Sequence, residues 1–158
     1  MPAPPQIFNF AFNKRNLYPF TNFTKIYMEK FKILIAEDDA LLLKALGFYL
    51  DKQGYDLSLV VDGRDAIDRI RKNSYDLIIT DINMPFSNGM EIISVVRNEL
   101  KLKTPIMVLT SMGLENTEIE AFQIGADEFV SKPFSPQDLG VKIEEILNGV
   151  SKNVPHVV

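Results

Sequence analysis

The sequence predicts an α/β protein with a doubly wound parallel sheet of five strands and five helices. Short apolar runs alternate with longer segments of helical periodicity from about residue 31 onwards. Runs such as Ile33–Ile35 and Leu77–Ile79 are apolar at every position, which is typical of strands buried on both faces. Alternation of strands and helices with short loops favours right-handed crossovers that place helices on both sides of the sheet.

The strands are expected at the five short apolar runs. Leu57-Ser58-Leu59 alternates apolar and polar side chains, so the second strand is expected at an edge of the sheet. In chain order, the predicted strands are Lys32–Ala36, Leu57–Val61, Asp76–Thr80, Ile106–Thr110 and Glu128–Ser131.

The helices between these strands carry start and stop signals. Leucines at helical spacing predict a first helix over Ala40–Gln53, which ends before Gly54. Asp39 directly precedes this helix and is interpreted as its N-cap. The other predicted boundaries are N-caps at Asp62 and Asn88, a helix end near Gly125, a helix start at Ser135-Pro136 and a helix end near Gly149.

Composition excludes several kinds of chemistry. The chain of 158 residues contains no cysteine, and its single histidine, His156, lies near the C-terminus. Disulfide frameworks, cysteine-ligated metals, thiol nucleophiles, Ser-His-Asp triads and multi-histidine metal sites are therefore excluded. No apolar run approaches the roughly 18 residues of a membrane span, so no membrane partner is expected. Any catalytic or metal-binding function must therefore use carboxylates, hydroxyls, lysines and backbone groups.

Charge is distributed unevenly and divides the chain into three predicted parts. Residues 1–30 carry +3 and five of the 11 phenylalanines, while the rest carries −7, for a net charge of −4. We predict a basic, Phe- and Asn-rich N-terminal extension over residues 1–29, which is expected not to belong to the core. A single domain over residues 30–149 and a C-terminal tail over residues 150–158 follow it.

Several interpretations of the extension stay open. It lacks the apolar segment of a secretory signal, so a cytoplasmic location is expected. It could be a loosely ordered extension, the product of a start codon chosen upstream of Met28 in error, or an organellar transit peptide. Exposed aromatic side chains at this density are costly in water, so the segment could also dock on the domain or on a neighbouring chain.

Charged and hydroxyl side chains follow four of the predicted strands. Because ligands of doubly wound sheets bind at the carboxyl ends of the strands, these side chains are expected to lie together. Two like charges about 4 Å apart cost about 4 kcal/mol at an effective dielectric constant near 20, so clustered carboxylates favour binding of Mg²⁺. One carboxylate could then act as a nucleophile on phosphorus, giving an acyl phosphate. The residues are Glu37, Asp38, Asp39, Asp81, Thr110-Ser111 and Lys132-Pro133.

The motifs around these strand ends occur in a specific order and spacing. They are Ile33–Asp39, Asp76–Pro85, Asn88-Gly89, Val108–Ser111 and Gly125–Phe134. Together they resemble the receiver domain of bacterial-type two-component response regulators over about residues 30–148. The resemblance is to single-domain, chemotaxis-type receivers, and it implies a flavodoxin-like sheet with strand order 2-1-3-4-5. The chain is either a stand-alone receiver or a piece of a larger regulator.

The resemblance implies a role for each residue at the phosphorylation site. Asp81 matches the phosphoacceptor, and Lys132 matches the lysine that contacts the phosphoryl group. Glu37 and Asp38 match the acidic pair that holds Mg²⁺, with Asp38 as a direct ligand and Glu37 acting through water. The backbone carbonyl of Asn83 matches a further metal ligand, beside Asp81 itself.

Other matched residues concern the response to phosphorylation. Thr110 matches the switch hydroxyl and Phe129 the switch aromatic residue. Asn83 and Met112 match the two variable positions that tune the lifetime of the phosphoryl group. The Lys132-Pro133 bond matches one that is usually cis in the family.

The resemblance also implies partners. A sensor histidine kinase or a histidine phosphotransfer protein would donate the phosphoryl group to Asp81. The surface of helix 4, strand 5 and helix 5 would then shift and be read by a downstream protein partner or by a second copy in a homodimer. The protein would catalyse only its own phosphorylation and dephosphorylation. No direct DNA binding is expected, because the core is acidic.

Three alternatives stay open. The chain could be a receiver-like docking module that binds partners without phosphorylation, although the complete set of site residues argues against this. An aspartate-nucleophile phosphatase would need a second acid two residues after Asp81, where Asn83 stands. A flavin electron carrier would need a Ser/Thr/Gly-rich loop after the first strand, where Glu37-Asp38-Asp39 would repel a phosphate.

Overall fold

The computed structural model of the protein describes residues 29–111 and 115–149. Within them, five parallel strands form one sheet in the order β2-β1-β3-β4-β5, which confirms the predicted fold. The strands are β1 Lys32–Ala36, β2 Asp56–Val60, β3 Leu77–Asp81, β4 Ile106–Ser111 and β5 Glu128–Lys132. The helices are α1 Ala40–Lys52, α2 Gly63–Lys72, α3 Gly89–Ser94, α4 Glu115–Ile124 and α5 Pro136–Gly149.

Several predicted boundaries are wrong by one residue. β2 begins at Asp56, since the Asp56 amide donates to the Phe31 carbonyl at 2.9 Å. β3 runs over Leu77–Asp81, so Asp81 is the last residue of the strand and lies opposite Leu109 of β4. The remaining corrections are that β4 reaches Ser111, β5 reaches Lys132 and α1 ends at Lys52.

The predicted helix caps are confirmed. Asp39 Oδ1 accepts hydrogen bonds from the amides of Leu41 and Leu42 at 2.9 and 3.1 Å, which satisfies donors that the first turn of α1 leaves unpaired. Asp62 and Asn88 likewise cap α2 and α3. Ser135 and Asp138 cap α5 reciprocally, since each side chain accepts a hydrogen bond from the backbone amide of the other.

A five-residue π-helix over Val95–Glu99 continues α3, and the sequence did not predict it. The Leu100 amide donates to the Val95 carbonyl at 2.9 Å, which is the wider hydrogen-bond spacing of this helix type. The segment carries Arg97, whose guanidinium reaches the carbonyls of Gly125 and Leu102 and the side chain of Asp127.

The core has two layers, one on each face of the sheet. On one face, Ile33 and Ile35 of β1 pack with buried residues of α1 and α5. On the other face, Leu34 and Ala36 of the same strand pack with buried residues of α2 and α3 and with Ala121 of α4. Each fully buried Ile or Leu side chain stabilises the fold by about 1.5–3 kcal/mol. The continuous apolar strands are therefore explained by burial on both faces.

The second strand lies at an edge of the sheet and is partly exposed over Leu57–Leu59, as its alternating pattern predicts. No helix in the described part of the chain is long and apolar enough to cross a membrane. The predicted extension before Glu29, the predicted tail and Met112 lie outside the described residues, so these remain predictions.

Candidate functional site

The carboxyl edge of the sheet brings together side chains from three strand ends. Glu37 and Asp38 follow β1 directly, Asp81 ends β3 and Lys132 ends β5. We call these four residues the carboxylate site. Thr110 lies near the end of β4, one residue past Leu109, which is opposite Asp81 in the strand register. The predicted convergence of strand ends is therefore present.

Lys132 bridges the two most buried carboxylates. Its Nζ atom lies 2.6 Å from Asp81 Oδ2 and 2.8 Å from Glu37 Oε2. The Glu37 side chain is fully buried and that of Asp81 is 7% exposed, so water screens these contacts little. The Lys132-Pro133 peptide bond is cis, in agreement with the resemblance.

Asp38 completes a group of three carboxylates. One oxygen of each of Glu37, Asp38 and Asp81 lies within 4.8 Å of the others. Asp38 is exposed, whereas the other two are buried, so the group faces solvent on the Asp38 side. With three ionised carboxylates and one ammonium, the site has a formal charge of −2.

Two backbone amides orient the buried carboxylates. The Asn83 amide donates to Asp81 Oδ1 at 3.1 Å, and the Asp39 amide donates to Glu37 Oε1 at 3.1 Å. Sequence reasoning missed both donors, because a backbone N–H is present at nearly every residue and leaves no signal in the side-chain pattern. The loop after β3 stays close to the site, since a Cβ atom on Gly89 would lie 2.5 Å from the Asp81 carbonyl oxygen.

The electrostatics of the pair Glu37–Lys132 reflect burial beside an opposite charge. Burial raises the pKa of Glu37 above its usual value, although contacts from Lys132 and the Asp39 amide oppose this shift. Burial alone would lower the pKa of Lys132, but its contacts with Asp81 and Glu37 outweigh burial and raise that pKa. The ammonium group therefore stays charged at neutral pH.

The carboxylate site fits a hard divalent cation. The buried Glu37 Oε2 atom accepts no well-aligned hydrogen bond from the described residues. Its contact with the Lys132 ammonium at 2.8 Å is therefore an ion pair. Mg²⁺ prefers carboxylate and carbonyl oxygens and retains several waters, which suits a group that is open on the Asp38 side. A divalent cation would also neutralise the formal charge of −2.

Thr110 and Phe129 lie on the neighbouring strands β4 and β5. The Thr110 hydroxyl is buried and donates to the Ser111 carbonyl at 3.3 Å. Phe129 is half-buried on β5, and its ring stacks on that of Phe122 in α4 with centroids 5.2 Å apart. Their roles as switch residues and their movement on phosphorylation remain predictions. The same holds for Asn83, which is exposed next to the site.

Comparisons with known proteins agree on one family. The response regulator receiver domain matches residues 33–144. The transcriptional regulatory protein RprY of Bacteroides fragilis (strain YCH46) is 39% identical over 122 residues, covering 77% of this chain and 51% of that protein. The transcriptional regulatory protein ResD of Bacillus subtilis (strain 168) is 33% identical over 121 residues, covering 77% of this chain and 50% of that protein. The chain thus spans about half the length of these curated relatives.

Solved structures give the same result. The chemotaxis response regulator CheY4 of Vibrio cholerae superposes with a TM-score of 0.70 at 30% identity, covering 75% of this chain and 99% of that chain. The receiver domain of the Francisella response regulator 1452 has a TM-score of 0.71 at 26% identity, covering 77% of this chain and all of the other. The chain therefore belongs to the response regulator receiver domain family, whose members are the phosphoacceptors of two-component systems.

Proposed function

We propose that Asp81 accepts a phosphoryl group in a Mg²⁺-dependent reaction with a phosphohistidine of a sensor histidine kinase or a histidine phosphotransfer protein. One observation carries this proposal: the partly buried ammonium of Lys132 contacts both Asp81 and Glu37 within a cluster of three carboxylates. A purely structural ion pair would balance its charges, whereas this cluster keeps an excess of negative charge next to a nucleophile.

Each residue of the site would have a separate role in phosphoryl transfer. An Oδ atom of Asp81 forms a new bond to phosphorus while the bond between phosphorus and the donor's imidazole nitrogen breaks, and the leaving imidazole keeps that electron pair. The Asn83 amide orients Asp81 through Oδ1. Lys132 shifts from the carboxylate to the phosphoryl oxygens, where its charge offsets the charge that develops in the transition state.

Four groups would hold the metal ion. Asp38, Asp81 and the Asn83 carbonyl would bind it directly, and Glu37 would act through water. Mg²⁺, when bound, supplies the positive charge that lets carboxylate and phosphoryl oxygens approach one another. The chain's own contribution is to hold the carboxylates close together and to orient Asp81 and Glu37 through backbone amides before the donor arrives.

The phosphoryl group would act as a switch through charge. It adds about −1.5 to −2 and three strong acceptors. The Thr110 hydroxyl would turn from the Ser111 carbonyl towards it, and Phe129 would move into the vacated space. The surface of α4, β5 and α5 would then shift its population towards a second packing, which a downstream protein partner or a second copy reads. Asn83 and Met112 would tune how long this state lasts.

The proposal limits the activity to the protein's own phosphorylation and dephosphorylation. It includes no direct DNA contact by this chain, since the part after residue 30 carries a charge of −7. A cytoplasmic location remains a prediction of the proposal.

The test is intact-mass spectrometry of the full chain after incubation with Mg²⁺ and a small acyl phosphate. We expect one added phosphoryl group on the wild type and none on Asp81→Ala. Asp56→Asn, an exposed aspartate at the amino end of β2, is the matched control and should behave as the wild type. No adduct on a wild-type protein with an intact circular dichroism spectrum would contradict the proposal and favour the non-phosphorylated docking module.

A further inference from the structure

An apolar groove lies between α4 and β5. It has a volume of about 490 Å³ and is lined by Glu118, Ile119, Phe122, Gln123 and Phe129. Ile119 is exposed, and the Phe122 side chain is 59% exposed even though its ring stacks on Phe129. Clustered apolar side chains are unfavourable in water. An exposed apolar groove is therefore typical of a surface that binds another molecule or another segment of the chain.

The groove is acidic at its border. The sequence of α4 contains three glutamates and neither lysine nor arginine. Glu118 lines the groove itself, and Glu120 is exposed on the same helix. An occupant that combines aromatic side chains with positive charge would therefore fit this surface best.

A segment of that composition precedes the domain. Residues 1–28, here called the N-terminal arm, contain three basic residues and no acidic one. They also contain five phenylalanines: Phe8, Phe10, Phe12, Phe20 and Phe23. We propose that the N-terminal arm docks with its phenylalanine side chains in the groove between α4 and β5 of its own chain. This inference does not depend on phosphorylation of Asp81.

The distances permit this contact. Phe23 precedes Phe31, the residue before β1, by eight residues, which span up to about 26 Å when extended. Three strand spacings separate β1 from β5 in the sheet, or about 14 Å. The arm also acts at an effective concentration on the order of millimolar because it is tethered, so a weak contact is enough to populate the docked state.

The two other exposed phenylalanines of the described residues fit the arm less well. Phe86 is 78% exposed, but the guanidinium of Arg64 lies 5.3 Å from the centroid of its ring. Phe48 on α1 is 67% exposed, but the ammonium of Lys52 lies 4.0 Å from the centroid of its ring. Lys44 is exposed one turn before Phe48 on the same helix. These positive charges repel a basic segment, whereas the glutamates of α4 attract it. A docked arm would occupy the surface that we propose a downstream partner reads, and would compete with that partner.

The absence of cysteine allows a direct test on the full chain. A nitroxide spin label on Asn22→Cys should broaden the amide NMR signals of Ile119, Phe122 and Phe129, and these signals should recover when the label is reduced. Phe122→Ser should abolish the broadening. Phe48→Ser, at the similarly exposed phenylalanine of α1, should leave it unchanged. Asp81→Ala should also leave it unchanged, which separates this inference from the proposed function.

Three results would overturn the proposal. The first is the absence of broadening on α4 and β5 in the labelled wild type. The second is broadening that occurs only between molecules. It would be seen when protein that carries the spin label but no isotope is mixed with isotope-labelled protein that carries no spin label. The arm in the groove would then belong to a second copy. The third is broadening that survives Phe122→Ser and disappears in Phe48→Ser, which would place the arm on α1.

Discussion

Two charged clusters lie at opposite edges of the sheet and differ in how completely their charges are balanced. The carboxylate site at the carboxyl edge keeps a formal charge of −2. At the amino edge, Arg97 donates to Asp127 Oδ2 at 2.7 Å and to the carbonyls of Leu102 and Gly125 at 2.8 and 3.0 Å. Asp127 Oδ2 also accepts from the Ile106 amide at 2.7 Å. We call these residues the Arg97 cluster.

The difference separates a structural arrangement from a reactive one. In the Arg97 cluster, one positive and one negative charge meet, and backbone groups complete the contacts, so the cluster ties β4 and β5 to the segment after α3. In the carboxylate site, the single ammonium of Lys132 is shared between carboxylates, and further positive charge is needed. Substitutions in the Arg97 cluster should therefore change stability, whereas substitutions in the carboxylate site should change chemistry.

The largest effect is expected for Lys132→Met. Removing the ammonium takes away charge that faces the phosphoryl group, so the rate of phosphorylation by a small acyl phosphate should fall about 100-fold or more. The rate is measured by intact mass over time. The matched control is Lys142→Met, which removes an exposed lysine 3.4 Å from Glu128 and should leave the rate unchanged. A wild-type rate in Lys132→Met would contradict the role of the ammonium.

The opposite result is expected for Arg97→Met. The free energy of unfolding should fall by about 2–3 kcal/mol, because charge-assisted hydrogen bonds are lost at a mostly buried side chain. Urea unfolding measures this change. Arg71→Met, which breaks an exposed pair with Glu99, should cost less than about 1 kcal/mol. Slower phosphorylation of Arg97→Met under conditions where it is fully folded would remove the distinction between the two clusters.

Magnesium should stabilise the wild type, because it relieves the excess charge of the carboxylate site. At ten times its Kd, the gain in the free energy of unfolding is about 1.4 kcal/mol. Asp38→Asn should lose most of this gain in thermal unfolding with and without MgCl₂. The neighbouring Asp39→Asn should keep it, since asparagine also caps a helix. A full magnesium effect in Asp38→Asn would refute the assignment of this ligand.

The smallest effect concerns a charge that belongs to neither cluster. Hydrogen bonds from the Ser135 side chain and backbone amide lower the pKa of Asp138 below its usual 3.8. The folded state therefore favours the ionised form, and this contribution is present above pH 3.8 and is lost as the pH falls through the lower folded-state pKa. The difference in Tm between wild type and Asp138→Asn should shrink in that acidic range. A difference that grows on acidification would contradict this sign.

Much of the fold could be predicted because the local signals agree with the tertiary packing. The continuous apolar strands, the alternating second strand and the caps at Asp39, Asp62, Asn88 and Ser135 each follow from a residue's own chemistry. The π-helix over Val95–Glu99 could not be predicted in this way. This segment carries Arg97, which contacts residues about 30 positions away in the sequence. Local periodicity does not reveal such long-range contacts.

The candidate site was predictable in its side chains but not in its backbone. Charged residues after buried strands are visible in sequence, and parallel topology brings Glu37, Asp38, Asp81 and Lys132 together. The amides of Asn83 and Asp39 that orient the carboxylates depend on loop conformation, which no side-chain pattern specifies. The direct contact between Lys132 and Glu37 likewise depends on burial depth, which alternation of strands and helices does not determine.

The central claim is that Asp81 alone becomes phosphorylated, and mapping the modified residue tests it most directly. After reaction with an acyl phosphate and Mg²⁺, borohydride reduction converts an aspartyl phosphate to homoserine, which survives digestion. Trypsin releases residues 73–97 as one peptide that contains both Asp76 and Asp81, so Asp76 serves as an internal control. We predict homoserine at position 81 and an unchanged Asp76. Homoserine at position 76, or at any other aspartate in place of position 81, would contradict the account.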